Sequence, residues 1–254
     1  MKNFKPILFL IIIVSGIILA VFNKERVVVV DNPDFVFEEK DLNEEPENGE
    51  PFQKEETDMY IVNYGNVAEI KEDAPLADIK RYIEDRVSQF KTESGFESIT
   101  EEDKEMLGFN RGMKYTLEFS YSEKESSAIK TYILKTAVFT GGAHGNLEVL
   151  TFSYDKKTGS RISLSDLFNT SAENYLPVLA ALGDKFLQSE YPEVAFYEGL
   201  KPEPANWATW YATDDGIVFI FQTYQVVPYA YGTPEFSVKT AGVSDIINMN
   251  YFEN

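Results

Sequence analysis

The residues around position 117 alternate strictly between apolar and polar side chains, and this pattern constrains the fold more than any other. The apolar members are Met113, Tyr115, Leu117, Phe119 and Tyr121, and the polar ones are Lys114, Thr116, Glu118 and Ser120. Successive side chains of a β-strand point to opposite faces, so one face of this strand is apolar. A strand with one polar face is typical of an antiparallel sheet that packs on one side only.

A glycine-rich stretch at residues 139–146 joins two further strand-like runs, 129–140 and 147–154. It contains His144, the single histidine of the chain. Gly141 and Gly142 accept positive φ angles without steric cost, so the backbone can turn sharply here or approach another surface closely. The stretch predicts a tight connection between two strands.

Helical periodicity follows a strand-like segment at residues 60–64. Five apolar residues step by three and four positions, which places them on one helix face: Leu76, Ile79, Ile83, Val87 and Phe90. Pro75 falls in the first turn, where its missing N–H costs nothing. We expect this face to belong to the core.

The start of a second helix is ambiguous. Thr170 and Glu173 have the spacing of a capping box, but Pro177 would then lie inside the helix and remove a hydrogen bond. The alternative is a helix that begins at Pro177. Its predicted buried face contains Leu179, Leu182 and Phe186.

Residues 207–213 and 216–224 predict a hairpin, and residues 235–239 predict a last strand. The order of a strand, a helix and further strands therefore occurs twice. We predict an α+β fold of two small units, residues 58–160 and 161–254, each an antiparallel sheet packed against a helix, after an N-terminal transmembrane helix.

The N-terminus predicts attachment to a membrane. Residues 6–22 are uncharged and apolar, and Lys2 and Lys5 precede them. This run has the length of a short transmembrane helix. Because no small-x-small cleavage site follows, we expect residues 1–30 to act as an uncleaved signal-anchor with the folded part outside the membrane. The alternative is a secreted protein whose signal has been removed.

Acidic residues dominate the charge of the chain, which is −19 at neutral pH. Residues 31–58 contain twelve of the acidic residues against two lysines, so residues 31–57 predict an extended acidic tether. A docking segment for a cationic partner is the alternative. The net charge argues against nucleic acid as a partner. The absence of cysteine excludes disulfides and lipid-modified cysteine.

No motif predicts a catalytic centre, a metal or a cofactor. Common zinc enzymes use two or three histidines, whereas His144 stands alone. The chain has neither the Gly-x-Ser-x-Gly elbow of serine hydrolases nor a phosphate-binding glycine loop. We expect a loop histidine bonded to backbone and no enzymatic activity.

Six aromatic residues in the second unit could contact a sugar or a protein: Trp207, Trp210, Tyr211, Tyr224, Tyr229 and Tyr231. Their amphipathic rings suit both ligands, although aromatic residues on strands more often belong to the core. Tyr229 and Tyr231 follow Pro228 and are expected in an exposed loop.

Several motifs, in order and spacing, resemble a bacterial extracytoplasmic module over roughly residues 58–250. They are residues 140–145, Asp155 with Thr158 and Gly159, residues 164–168, Gly216, Tyr224, residues 228–230 and Gly232. The module is a PdaC-like domain followed by an RsiV-type C-terminal domain, both formerly classed as of unknown function. The resemblance implies an α+β fold outside the membrane.

In RsiV proteins the module is the lysozyme-sensing half of a membrane anti-sigma factor, and in PdaC deacetylases it accompanies a separate deacetylase domain. We expect neither activity to carry over, because the chain shows neither a sigma-factor-binding segment nor a domain with a multi-histidine metal site. The expected function is recognition of peptidoglycan or of a cationic secreted protein such as lysozyme. The candidate binding residues are Gly141, Gly142, His144, Tyr224 and Tyr229. The alternatives are a cell-wall hydrolase or deacetylase that uses His144 with carboxylates, and a structural envelope protein without a small ligand.

Overall fold

A computed structural model describes residues 52–252 of the chain. The predicted membrane segment at residues 6–22 and most of the predicted tether at residues 31–57 lie outside the described residues. Within residues 52–252, no helix combines the length and the apolar character that crossing a membrane requires.

Six strands form the first sheet, in the order of the chain. They are β1 (Glu55–Glu56), β2 (Tyr60–Asn63), β3 (Tyr115–Glu125), β4 (Ile129–Phe139), β5 (Asn146–Asp155) and β6 (Arg161–Ile162). The alternating segment at residues 113–121 therefore forms most of β3, as predicted. Strand β6, which sequence analysis assigned to the second unit, pairs with β5 and extends the first sheet.

One pair in this sheet differs from the predicted antiparallel arrangement. Strands β2 and β3 are parallel, with Tyr60 opposite Tyr115 and Asn63 opposite Glu118. Two helices, α1 (Asp73–Ser94) and α2 (Glu101–Leu107), connect these strands. A long helical crossover returns the chain to the same end of the sheet, so the next strand runs in the same direction. The local alternation of apolar residues does not indicate whether a strand pairs with its neighbour in the parallel or the antiparallel direction.

Helix α1 covers one face of the first sheet. Its buried residues include Ile79, Ile83, Val87 and Phe90, which confirms the predicted apolar stripe. They pack against residues of the sheet such as Leu117. Burial of these side chains is the main source of stability for this layer, at roughly 1.5–3 kcal/mol for each fully buried large apolar side chain.

The second unit contains one long helix and a three-stranded antiparallel sheet. The helix is α3 (Ala172–Glu190), and the strands β7 (Trp210–Thr213), β8 (Gly216–Ile220) and β9 (Glu235–Lys239) follow in chain order. Helix α3 begins at Ala172, between the two predicted starts, and contains Pro177. Pro177 and Glu173, the residue four positions earlier, are both exposed. Water can therefore solvate the Glu173 carbonyl that lacks a helical donor.

The two sheets lie face to face between the two long helices. Ile133 and Val149 of the first sheet pack against Tyr211, Val218 and Ile220 of the second. The opposite face of the second sheet packs against α3 in a core that contains both tryptophans. This arrangement brings the β4–β5 connection of the first sheet near the loop that follows β8.

Candidate binding site

The β4–β5 connection presents His144 to solvent. Gly141 and Gly142 have φ angles of 89° and 99°, the left-handed region that side chains rarely adopt. A Cβ on Gly141 would lie 3.6 Å from the ring of Tyr115, so this part of the turn rests on a tyrosine. Burial raises the pKa of the Tyr115 hydroxyl. The glycine pair thus forms the sharp turn that the sequence predicts.

A second loop, residues 221–232, supplies the aromatic partners of His144. The predicted strand at residues 216–224 ends at Ile220, because the chain leaves the sheet there. Tyr224 therefore lies in a loop, with a φ angle of 64° that is unusual for a tyrosine. Tyr229 begins a short 3₁₀ helix, Tyr229–Tyr231.

His144, Tyr224 and Tyr229 converge at one place on the surface. The rings of His144 and Tyr229 are stacked, with centroids 4.2 Å apart and planes inclined by 21°. The Tyr224 hydroxyl lies 3.5 Å from His144 Nε2, and the rings of Tyr224 and Tyr229 are 5.4 Å apart. His144 is exposed, and both tyrosines are half-buried. We call these three residues the His144 cluster.

Backbone contacts fix the orientation of the His144 ring. The Nδ1 atom lies 2.8 Å from the Gly145 carbonyl oxygen, which also accepts a hydrogen bond of 3.0 Å from the Tyr229 hydroxyl. A carbonyl oxygen only accepts, so this geometry requires the proton on Nδ1. In the neutral ring, Nε2 is then free to accept from Tyr224 or from a ligand.

Two glutamines that sequence analysis missed hold the loop of Tyr224. The Gln222 amide accepts from Val149 N at 2.9 Å and donates to Val149 O at 2.6 Å, so it pairs with the edge of β5 as a neighbouring strand would. The Gln225 amide accepts from Gln222 N at 2.9 Å and donates to the carbonyls of Gly199 and Asn206. No sequence pattern distinguishes these glutamines from ordinary surface residues.

A threonine adds a further contact between the two loops. Thr223 Oγ1 donates to the Leu147 carbonyl at 3.1 Å and lies 3.3 Å from Asn146 Oδ1. Gln222 and Thr223 are therefore bonded along the start of β5. Fixed loops of this kind lose little conformational entropy when a ligand binds.

The other predicted aromatic residues divide between core and surface. Trp210 and Tyr211 are buried on β7, as expected for strand aromatics, whereas 51% of Tyr231 is exposed. Trp207 is also buried, but it ends a 3₁₀ helix, Pro204–Trp207, and does not belong to the strand that was predicted to begin there. The aromatic surface of the second unit therefore comes from the loops and not from β7.

Within the part of the chain that the structure describes, His144 contacts two tyrosines and a backbone carbonyl and no acidic side chain. Glu148, the next acidic residue along the chain, instead accepts from the Tyr82 hydroxyl at 3.0 Å and lies 3.8 Å from Arg86 Nε. Among residues 52–252, no group of three or more histidine and acidic side chains has the arrangement of a metal site. The arrangement around His144 can stack on a ligand and exchange hydrogen bonds with it. The expected lack of enzymatic activity stays a prediction.

Comparison with known families gives a partial match. The model of the DUF3298 family, described as a protein of unknown function, matches residues 165–241. This range includes Tyr224 and Tyr229 but not His144.

One characterised relative is peptidoglycan-N-acetylmuramic acid deacetylase PdaC of Bacillus subtilis (strain 168), which is 27% identical over 198 residues. The match covers 76% of this chain and 40% of the deacetylase, so the chain spans less than half of that relative. The predicted PdaC-like resemblance agrees with this match, whereas the RsiV-type part of it stays a prediction.

Two crystal structures of DUF3298 proteins are similar to this chain. The one from Pseudomonas aeruginosa PAO1 is 18% identical, with a TM-score of 0.45, and the match covers 61% of this chain and 72% of that one. The one from Bacteroides fragilis NCTC 9343 is 20% identical, with a TM-score of 0.49 and 70% coverage of both chains.

Proposed function

We propose that the chain is a non-enzymatic binding module of the cell envelope and that the His144 cluster recognises the glycan of peptidoglycan. The observation that carries this proposal is the stacked pair of His144 and Tyr229, presented at the surface with Tyr224 beside it. In this proposal the apolar segment at residues 6–22 anchors the chain in the membrane, and the folded part lies on the outer side.

The chemistry of the cluster suits a sugar ring. The faces of aromatic rings carry partial negative charge, and the C–H groups on one face of a pyranose carry partial positive charge, so the two stack. Tyrosine and histidine also offer hydrogen-bonding atoms at the ring edge, which can contact hydroxyl and acetamido groups. The bonds from Gln222 and Thr223 to β5 hold Tyr224 in place before a ligand arrives.

The relative found by comparison supports a role at the cell wall. The name of that deacetylase places its substrate in peptidoglycan, and the matched region covers 76% of this chain. Because the match covers only part of the deacetylase, we propose recognition of the same polymer and not the deacetylation reaction.

The charge of the described residues favours a second candidate, a cationic secreted protein such as lysozyme. Residues 52–252 contain 31 acidic and 18 basic side chains. An excess of negative charge accelerates encounter with a cationic partner, and added salt weakens this effect. Stacking on a sugar depends much less on salt, so the salt dependence separates the two candidates.

The direct test is co-sedimentation of the full-length chain, purified in detergent, with insoluble peptidoglycan at low and high salt. We expect binding at both salt concentrations, loss of binding in Tyr229→Ala, and retention in Tyr229→Phe, which keeps the stacked ring. No sedimentation of the wild-type chain would contradict the proposal. In that case, salt-sensitive binding to lysozyme would favour the second candidate.

An assay of acetate release from a muropeptide tests the enzymatic alternative. Hydrolysis of the N-acetyl group on a muropeptide would release acetate and leave a free amine. We expect no acetate from the full-length chain, with or without added zinc. Release of acetate that disappears in His144→Ala would contradict a purely binding role.

A further inference from the structure

A second pair of aromatic rings lies at the other end of the 3₁₀ turn that begins with Tyr229. Tyr231 meets Tyr191 edge to face, with centroids 5.7 Å apart and planes at 88°. Tyr191 in turn packs against Phe186, whose ring lies 5.0 Å from core residue Phe236. The pair therefore packs against the core through Phe186, while half of the Tyr231 side chain is exposed.

The turn fixes the relation between Tyr229 and Tyr231. Tyr231 N donates to the Pro228 carbonyl at 3.0 Å, and Gly232 N donates to the Tyr229 carbonyl at 2.9 Å. A 3₁₀ helix has 3 residues per turn, so side chains two positions apart point in directions that differ by about 120°. Tyr229 accordingly stacks on His144, and Tyr231 contacts Tyr191. One sugar ring cannot contact both tyrosines face to face.

The hydroxyls of the second pair are available to a ligand. Within residues 52–252, neither Tyr191 nor Tyr231 has a hydrogen-bond partner for its hydroxyl. Tyr154 and Tyr211 differ, because their hydroxyls donate to Asp78 and Glu235. An exposed ring with a free hydroxyl presents an apolar face and a polar edge together, the combination that a pyranose also presents.

We propose that Tyr231 and Tyr191 form a second subsite that contacts another sugar of the same glycan chain. The inference rests on the proposed function and makes it more specific: the ligand is an oligosaccharide that extends from the His144 cluster across the turn to Tyr231. A ligand that reaches both places gains the second contact without a second loss of translational freedom, so its affinity rises with its length.

The test is calorimetric titration of the full-length chain with an N-acetylglucosamine disaccharide and hexasaccharide. For the wild type, we expect the hexasaccharide to bind roughly two- to tenfold more tightly, the range that one aromatic contact provides. Tyr231→Ala should bind the disaccharide as the wild type does and lose the gain with length. Tyr231→Phe should keep most of that gain, because the ring remains.

Tyr197→Ala is the matched control, because Tyr197 is an exposed tyrosine of the same unit, 44% accessible, outside both ring pairs. It should preserve the gain with length. If the affinity of the wild type does not rise with the length of the sugar, or if Tyr231→Ala retains that rise, the proposed second subsite is wrong. Loss of disaccharide binding in Tyr229→Ala would still support the His144 cluster. If the wild type binds neither sugar, the proposed glycan recognition fails, and the second subsite fails with it.

Discussion

Long paired strands organise residues 52–162, whereas short strands and bonded loops organise residues 163–252. Strands β3, β4 and β5 contain 11, 11 and 10 residues, but β7, β8 and β9 contain only 4, 5 and 5. Regular backbone pairing thus fixes the first unit. In the second unit, particular side chains such as Trp207 and Gln222 hold the segments of the chain together.

This difference explains where the candidate site lies. The first unit contributes one short turn, which its long hairpin holds in place, and the second contributes a loop that carries Tyr224 and Tyr229. Loops on a rigid support are the common location of binding residues. Substitution of single side chains shows whether the second unit depends on them more than the first does.

The largest effect is expected from Trp207→Ala. Trp207 is 1% exposed, meets Phe219 edge to face at 5.1 Å, and donates its indole N–H to the Lys201 carbonyl at 3.0 Å. Loss of this ring should lower the free energy of unfolding by about 3–5 kcal/mol. Urea denaturation followed by circular dichroism and by fluorescence of Trp210, which also lies in the second unit, measures the change.

Because the two sheets share a packed face, we expect both signals to shift together in Trp207→Ala. The matched variant in the first unit is Phe90→Ala, which removes a core ring of α1 that is 2% exposed. It should also produce a single transition. Two separate transitions in either variant would mean that the units unfold independently.

An intermediate effect is expected from Gln222→Ala. This change removes the acceptor that Gln222 supplies to the buried N–H of Val149, and an unsatisfied buried group costs about 1–3 kcal/mol. Hydrogen exchange should show faster exchange of the Val149 amide and of residues 223–225. Gln188→Ala, at an exposed position whose amide donates to Asp184 four residues earlier on α3, serves as the control. Equal protection in both variants would contradict the proposed function of Gln222 as a substitute strand.

The smallest effect is expected from Glu72→Gln in the first unit. The hydrogen bond from Lys130, at 2.7 Å, lowers the pKa of Glu72 from 4.5 to about 2. Its stabilising contribution is complete above pH 4.5 and disappears as the pH falls toward 2. Since the carboxylate is half-exposed, the loss at neutral pH should be below about 1 kcal/mol.

Denaturation of wild type and Glu72→Gln between neutral and acidic pH measures this difference. The two curves should approach each other as the pH decreases. Glu97→Gln, at an exposed position, should follow the wild type throughout. A difference for Glu72→Gln that grows at low pH would contradict the assigned ion pair.

Periodic segments of the first unit were predictable from sequence. The apolar steps of α1 and the alternation in β3 report the local environment directly, and both elements formed as expected. The parallel pairing of β2 with β3 was not predictable, because partner choice depends on the path of the chain through α1 and α2. The start of α3 was left open between a cap at Thr170 and a start at Pro177. The helix begins at Ala172, close to the first of these, because Pro177 is tolerated where its neighbourhood is exposed to water.

The candidate site, too, was only partly predictable from local sequence patterns. The glycine pair marked the turn that presents His144, and the residues after Pro228 were expected to be exposed, as Tyr231 is. The contacts among His144, Tyr224 and Tyr229 arise from packing between distant loops, which no local pattern encodes. Gln222 and Gln225 act through the backbone of other segments, so their importance is visible only in three dimensions.

Nuclear magnetic resonance of the His144 ring tests the central claim most directly, because a chain with a single histidine gives one set of imidazole signals. The full-length chain with ¹³C-labelled histidine would be titrated with an N-acetylglucosamine hexasaccharide. Glycan recognition by the His144 cluster predicts that these signals move and saturate with the affinity found by calorimetry. Binding of the hexasaccharide with unchanged His144 signals would contradict the claim.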